Sequence, residues 1–171
     1  MNIVLIGMPG CGKSTIGVLL AKALLLDFVD TDLVIQKEYG KGLCAIIDEF
    51  GLAEFKSIEN SVLANLKLEN SVIATGGSAV YGEEAMENLK KDALCVYIKL
   101  PPSEIKARIK NITTRGIAME KGTTIDDLYL ERAPLYEKCA DITVEGADSS
   151  VEENVSKIVE KLEKIKENAF A

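Results

Sequence analysis

Short continuous runs of apolar residues alternate along this chain with stretches in which apolar residues recur every three or four positions. The runs predict buried β-strands, because a strand that is covered on both faces needs apolar side chains at nearly every position. Five strands are predicted, at residues 2–6, 28–29, 71–74, 94–100 and 141–144.

The stretches between the runs predict amphipathic helices. One helix begins at Ser14, one covers residues 55–66, one begins with the turn Ser103-Glu104 after two prolines, and a last one begins near Val151. Strands that alternate with helices pair in parallel through crossover connections. The sequence therefore predicts an α/β domain of three layers, α/β/α, with a five-stranded parallel sheet.

Composition narrows the possible functions. The 171 residues fit a single domain, residues 1–171, and acids outnumber bases 27 to 20, which argues against a nucleic-acid partner. The chain has no histidine, which excludes histidine-based catalytic triads and zinc sites with histidine ligands. Its four cysteines form no C-x-x-C pair, so neither a zinc ribbon nor a redox dithiol is expected.

No membrane partner is expected either. The longest strongly apolar stretch, residues 19–26, is interrupted by Lys22 and is far shorter than the roughly 20 residues of a membrane span. The N-terminus has no basic region and no small-residue cleavage site. We expect a soluble, cytoplasmic and monomeric protein.

The sharpest motif lies between the first strand and the first helix. Residues 7–14 read GMPGCGKS and match G-x-x-x-x-G-K-[ST] in the strand–helix context that a phosphate-binding loop requires. Glycines let backbone N–H groups curl around a phosphate, and the following helix directs its positive end at the same anion. The alternative is a glycine-rich turn without a ligand.

Nucleotide contacts are assigned to this loop and the start of the helix. Lys13 is expected to reach the β- and γ-phosphates, and the Ser14 hydroxyl is expected to bind Mg²⁺. Thr15 can also be read as an ordinary helix-start residue. The full set of loop candidates is Gly10, Cys11, Gly12, Lys13, Ser14 and Thr15.

Two carboxylates indicate the reaction type. The chain lacks the Asn-Lys-x-Asp string of Ras-like GTPases, and the strands at 71–74 and 94–100 do not end in an acid. Asp30 and Asp32 follow the second strand, and the carboxyl ends of parallel strands lie beside the phosphate loop. In the absence of histidine, Asp32 is the candidate base for a substrate hydroxyl, with a helix N-cap as its alternative role. This arrangement is typical of a small-molecule kinase.

Four further sequence motifs narrow the class of small-molecule kinase. They read FVDTD at 28–32, FKSIE at 55–59, IATGG at 73–77 and RAPLY at 132–136. With the phosphate loop, they resemble the shikimate kinase family from Met1 to about Val144. The resemblance implies the P-loop NTPase fold and transfer of a phosphoryl group from ATP, with Mg²⁺, to shikimate, a small anionic hydroxylated substrate.

The resemblance also implies individual roles. Asp30 would hold Mg²⁺ with Ser14, Asp32 would bind the acceptor hydroxyls as the base, and Arg132 would grip the acceptor carboxylate. The turn at Gly76 and Gly77 would lie against the acceptor ring.

Two arginines seven residues apart are a further match. Arg108 would lie near adenine, with a solvated helix face as its alternative position, and Arg115 would reach the transferred phosphate as a catalytic residue. A mobile lid is expected at about residues 111–123.

Two positions differ from the family pattern within the acceptor site. Lys56 and Ser78 stand where family members have an arginine and a third glycine. Lysine lacks the planar fork of arginine, and we expect Glu59, one helical turn further, to hold Lys56 in place. A related kinase for another hydroxy acid, such as a gluconate-type sugar acid, and a non-catalytic nucleotide-binding regulator are the alternatives. Intact Lys13 and Asp32 argue against the regulator.

Overall fold

A single parallel sheet forms the centre of the molecule. The computed structural model describes residues 1–109 and 116–169, and within them five strands lie in the order β2-β3-β1-β4-β5. They are β1 (Asn2–Ile6), β2 (Asp27–Asp30), β3 (Ser71–Ala74), β4 (Ala93–Lys99) and β5 (Ile142–Glu145). Every residue of β1 and β3 is buried, whereas the edge strands β2 and β5 are partly exposed. All five predicted strands are present.

Helices cover the sheet on both sides. The described residues form α1 (Lys13–Leu24), α2 (Thr31–Tyr39), α3 (Leu43–Phe50), α4 (Leu52–Ala64), α5 (Glu83–Lys90), α6 (Pro102–Arg108), α7 (Ile125–Cys139) and α8 (Val151–Ala169). Helix α1 packs against α8, and α4 packs against α5. The predicted three-layer α/β/α architecture is confirmed.

Helix α2 corrects the prediction for Asp32. Asp30 is the N-cap of α2, and its Oδ1 accepts a hydrogen bond of 3.0 Å from the backbone N–H of Asp32. Asp32 therefore lies in the first turn of a helix and not at a strand end. The alternative role as a helix cap belongs to Asp30.

The sheet brings the motif-bearing loops together at one edge. In the register of the central strands, Val4 lies beside both Ile73 and Cys95, so the loops after β1, β3 and β4 leave the same end of the sheet. Cys95 is fully buried, as its apolar surroundings in the sequence predict. No helix in the described ranges combines the length and apolar character needed to cross a membrane.

Candidate active site

A cavity of about 500 Å³ opens at the carboxyl edge of the sheet. This volume lies within the range of small-molecule pockets. Most of the predicted site residues line it: Gly10, Gly12, Lys13, Ser14, Thr15, Asp32, Gly76, Gly77, Ser78, Arg108 and Arg132. Of the described candidates, Cys11, Asp30 and Lys56 do not line the cavity, and Arg115 lies outside the described residues.

The phosphate loop has the backbone geometry that its glycines permit. Gly10 and Gly12 have φ angles of 79° and 98°, which side chains other than glycine rarely adopt, and Gly12 is the N-cap of α1. The first backbone N–H groups of α1 have no acceptor within the helix and are available to an anion. The backbone N–H of Cys11 donates to Met8 O at 3.2 Å, and its side chain is buried.

The Lys13 ammonium is buried beneath this loop. Its Nζ donates to the carbonyl oxygens of Gly7 and Met8, at 2.7 and 2.9 Å, and lies 3.7 Å from Cys11 Sγ. A thiol is a weak acceptor, so a phosphate oxygen can take over the third donor.

Ser14 and Asp30 form the candidate magnesium site. The Ser14 hydroxyl donates to Asp30 Oδ2 at 2.6 Å, which joins the start of α1 to the end of β2. Hydroxyl and carboxylate oxygens are hard ligands of the kind that Mg²⁺ prefers. These two residues fit the ion that the sequence predicts.

Two carboxylates lie against the glycine turn that follows β3. A Cβ placed on Gly76 would lie 2.5 Å from Glu59 Oε1 and 2.7 Å from Asp32 Oδ1, so a larger residue there would displace these carboxylates. Burial raises the pKa of Asp32 to about 6; the Asp30 carboxylate adds to this increase and Lys13 opposes it. Burial also raises the pKa of Glu59 to about 7. Both acids are thus poised to exchange protons near neutral pH.

Ser78 is the partner of Glu59. The Ser78 hydroxyl donates to Glu59 Oε2, whereas Glu59 Oε1 is buried and has no hydrogen-bond partner among the described residues. Ser78 has φ −94° and ψ −6°, an ordinary helical conformation that does not require glycine. Ser78, where the family pattern has a glycine, therefore binds the Glu59 carboxylate beside the predicted acceptor site.

Arg132 is fully buried, and only some of its N–H donors have hydrogen-bond partners among the described residues. Its Nε donates to the Tyr81 hydroxyl at 3.1 Å, and its Nη2 donates to the carbonyl oxygen of Ala118. Its Nη1 has no partner in the described part of the chain and would lie 3.1 Å from a Cβ on Gly77. This leaves a buried cationic donor beside the glycine turn, as the predicted carboxylate clamp requires.

Lys56 has a different partner from the one predicted. The expected pairing with Glu59 is wrong, because Glu59 binds Ser78 and the Lys56 ammonium lies 4.2 Å from the centre of the Tyr81 ring. This distance is typical of a cation–π contact.

Arg108 lines the cavity next to the phosphate loop, where its Nη1 would lie 4.0 Å from a Cβ on Gly12. Its Nη2 pairs with Glu104 one helical turn earlier at 3.1 Å, and its side chain is 40% exposed. Arg108 therefore lies on a solvated helix face and also lines the cavity, and its position near adenine stays a prediction.

Three residues that the sequence did not single out support the site. The Tyr136 hydroxyl donates to Gly77 O at 2.6 Å, and the backbone N–H of Gly76 donates to the Thr31 hydroxyl at 3.2 Å. Tyr81 contacts both Lys56 and Arg132. Tyr136 ends the RAPLY string and Thr31 lies between the two acids, but nothing in the sequence marked Tyr81.

Known proteins with these features are kinases. The family model described as Shikimate kinase matches residues 9–163. A shikimate kinase of Thermodesulfovibrio yellowstonii is 39% identical over 147 residues, which cover 84% of each chain.

Solved structures give the same result. A shikimate kinase from Acinetobacter baumannii in complex with shikimate has a TM-score of 0.89 at 30% identity, over 96% of this chain and 94% of that one. The shikimate kinase from Aquifex aeolicus has a TM-score of 0.82 at 37% identity, over 95% and 96% of the two chains. A gluconokinase from Sinorhizobium meliloti, with a TM-score of 0.56 at 17% identity, shares the fold alone.

Proposed function

Because this chain belongs to the shikimate kinase family, we propose that its cavity transfers the γ-phosphate of ATP to shikimate, giving shikimate 3-phosphate and ADP. The chain is a small-molecule kinase with ATP as its co-substrate. One observation carries the proposal: within the described residues, Glu59 Oε1 and Arg132 Nη1 are buried without hydrogen-bond partners, in a cavity that the phosphate-binding loop also lines.

The nucleotide occupies the loop side of the cavity. The first-turn N–H groups of α1 and the Lys13 ammonium bind the phosphates, and Arg108 lies on the adenine side. Ser14 and Asp30 hold Mg²⁺, which neutralises part of the charge on the β- and γ-phosphates when it is bound.

The acceptor occupies the side of the glycine turn. Its carboxylate binds Arg132 Nη1, assisted by the Lys56 ammonium, and its hydroxyls face Asp32. Gly76 and Gly77 let the ring approach the backbone, and Ser78 acts through Glu59. Buried donors and acceptors without partners discriminate strongly against molecules that cannot satisfy them.

Transfer then needs one base and a cluster of cations. The oxygen of the acceptor hydroxyl forms a bond to the γ-phosphorus, the bond from this phosphorus to the β,γ-bridging oxygen breaks, and the hydroxyl proton passes to Asp32. Lys13 and Arg115 stabilise the charge on the moving phosphoryl group. All of these residues belong to one chain, which supports a monomeric enzyme, and dependence on ATP supports a cytoplasmic one.

A coupled ADP-release assay tests this proposal. Shikimate, gluconate and a hydroxy acid without a ring are compared at equal concentrations with saturating ATP. We expect saturable ADP release with shikimate and at least about a hundredfold lower kcat/KM with gluconate. Gluconate turnover equal to or faster than shikimate turnover would contradict shikimate as the acceptor.

A further inference from the structure

Tyr81 joins the two cations of the acceptor site. It lies at the end of a single 3₁₀ turn (Ala79–Tyr81) that follows the glycine turn. The Lys56 ammonium lies 4.2 Å from the centre of its ring, and the Arg132 guanidinium carbon lies 5.2 Å from the same centre. Its hydroxyl accepts from Arg132 Nε at 3.1 Å and donates to Glu131.

We propose that Tyr81 is a positioning residue of this kinase, which holds Lys56 and Arg132 in register for the acceptor carboxylate. The proposal rests on the proposed function and assigns Tyr81 a part in acceptor specificity.

The hydroxyl of Tyr81 determines which donor of Arg132 is available. The Tyr81 hydroxyl donates its hydrogen bond to Glu131, so a lone pair of the hydroxyl oxygen is free to accept from Arg132 Nε. Ala118 occupies Nη2, so the guanidinium plane is fixed at two points. Only Nη1, beside Gly77, is left without a partner in the described part of the chain. Without the hydroxyl, the plane can rotate and Nη1 loses its fixed direction.

The ring of Tyr81 holds Lys56 in place, a role that the sequence analysis assigned to the Glu59 carboxylate. In the described part of the chain Lys56 forms no ion pair with Glu59, and its ammonium lies over the electron-rich face of the Tyr81 ring instead. A ring holds a cation without neutralising its charge, whereas an ion pair with Glu59 would. The full charge of Lys56 is therefore available to an anionic substrate.

Steady-state kinetics of two variants, Tyr81→Leu and Tyr81→Phe, test the inference. The leucine variant loses both the ring and the hydroxyl, and the phenylalanine variant loses only the hydroxyl. We expect the Michaelis constant for shikimate to rise at least about tenfold in Tyr81→Leu and about threefold in Tyr81→Phe. We expect kcat and the Michaelis constant for ATP to change by less than about twofold.

Matched controls come from Tyr39, whose ring packs edge-on against Phe50, whereas the ring of Tyr81 lies against the two cations. Tyr39→Leu and Tyr39→Phe should leave the Michaelis constant for shikimate within about twofold of the wild-type value. A double-mutant cycle isolates the contact with Lys56: Lys56→Ala should raise this constant about tenfold in the wild type, but less than about threefold in Tyr81→Leu.

The possible results distinguish a failure of the positioning role of Tyr81 from a failure of the proposed kinase activity. An unchanged Michaelis constant for shikimate in Tyr81→Leu, or equal rises for shikimate and ATP in Tyr81→Phe, would overturn the positioning role while leaving the kinase assignment intact. If Tyr81→Leu does not fold, Tyr81→Phe decides alone, because it keeps the ring. Wild-type protein without shikimate-dependent ADP release would contradict the proposed function and overturn the inference with it.

Discussion

Asp32 combines a partly buried position on the cavity wall with a pKa of about 6, which suits a base that works near neutral pH. Its replacement by asparagine keeps the volume and removes the base. We expect kcat of Asp32→Asn to fall by about 10²-fold or more, with nucleotide affinity retained. Saturation kinetics and ATP titration check both parts. Loss of nucleotide binding together with preserved turnover would make Asp32 a metal-binding or structural residue.

The same carboxyl predicts a pH profile. The proton acceptor must be ionised, so kcat/KM for shikimate at saturating ATP should decline about tenfold per pH unit below pH 6. An Asp32 with an ordinary pKa of 3.8 would leave the profile flat to about pH 4. Profiles of wild-type protein and Asp32→Asn from pH 4.5 to pH 8 distinguish these cases, because the variant should lack the acidic limb.

Lys56 tests whether the acceptor carboxylate prefers a planar fork. Lys56→Arg keeps the charge, can still lie against the Tyr81 ring, and adds a second parallel donor. We expect the Michaelis constant for shikimate to fall several-fold, equivalent to about 1 kcal/mol, and the constant for ATP to be unchanged. Saturation curves for both substrates measure this. A higher constant for shikimate would indicate a pocket shaped around lysine and favour a different hydroxy acid.

Glu59 and Ser78 make stability depend on pH. Because the pKa of Glu59 is about 7 in the folded protein and 4.5 ordinarily, the folded state binds more protons, and the free energy of unfolding decreases as pH rises between these values. The hydrogen bond from Ser78 opposes the increase in pKa. We expect Ser78→Gly to lower stability by about 1 kcal/mol more at pH 8 than at pH 6.

Urea unfolding at both pH values measures this effect. Glu59→Gln is the control, since it cannot ionise and should remove the pH-dependent part. An equal loss of stability in Ser78→Gly at both pH values would show that the hydroxyl does not stabilise the charged form of Glu59.

Helix α1 and the loop before it were predictable from sequence because their signals are local. The glycines, Lys13 and Ser14 are contiguous, and the apolar spacing after them is helical. Of the helices that the sequence analysis missed, α2, α3, α5 and α7, two show where local signals fail. Helix α2 begins directly at the end of β2, and α7 contains Pro134, which removes a helical hydrogen bond and usually indicates a helix end. Burial of Leu128 and Tyr136 on one face of α7 outweighs that local cost.

Contacts between elements that are distant in the sequence could not be predicted, because they depend on how the elements pack. The partners of Glu59 and Lys56 depend on how α4 packs against the turns after β3. Glu59 and Ser78, for example, are 19 positions apart in the sequence. Residue types in the acceptor site were therefore predictable, whereas the pairs that they form were not.

The stretch 116–123 belongs to the expected lid and contacts the proposed acceptor site. The carbonyl of Ala118 accepts from Arg132, so binding of an acceptor carboxylate to Arg132 should order this stretch. We expect amide hydrogen exchange at residues 116–123 to slow when ATP and shikimate are both present. Exchange in α5, which does not line the cavity, should be unchanged. Equal exchange in 116–123 with and without both substrates would contradict closure.

The whole molecule responds to ATP through a site that is present in the folded state alone. Binding to the folded state raises the melting temperature as ligand concentration increases. We expect ATP to stabilise the wild type and to have almost no effect on Lys13→Ala, which should also lose turnover. Lys22→Ala, an exposed substitution on the same helix, is the matched control. Normal turnover by Lys13→Ala would contradict the kinase assignment.

The position of the new phosphate is the most direct test, since the proposed function requires transfer to one hydroxyl, the one on carbon 3 of shikimate. Phosphorus–proton correlation NMR of the product formed from shikimate and ATP assigns this position. We expect one phosphomonoester whose phosphorus couples to the proton on carbon 3 of the shikimate ring, formed in equal amount to ADP. A phosphate on another hydroxyl, or ADP formed together with free phosphate and unchanged shikimate, would contradict the proposed function.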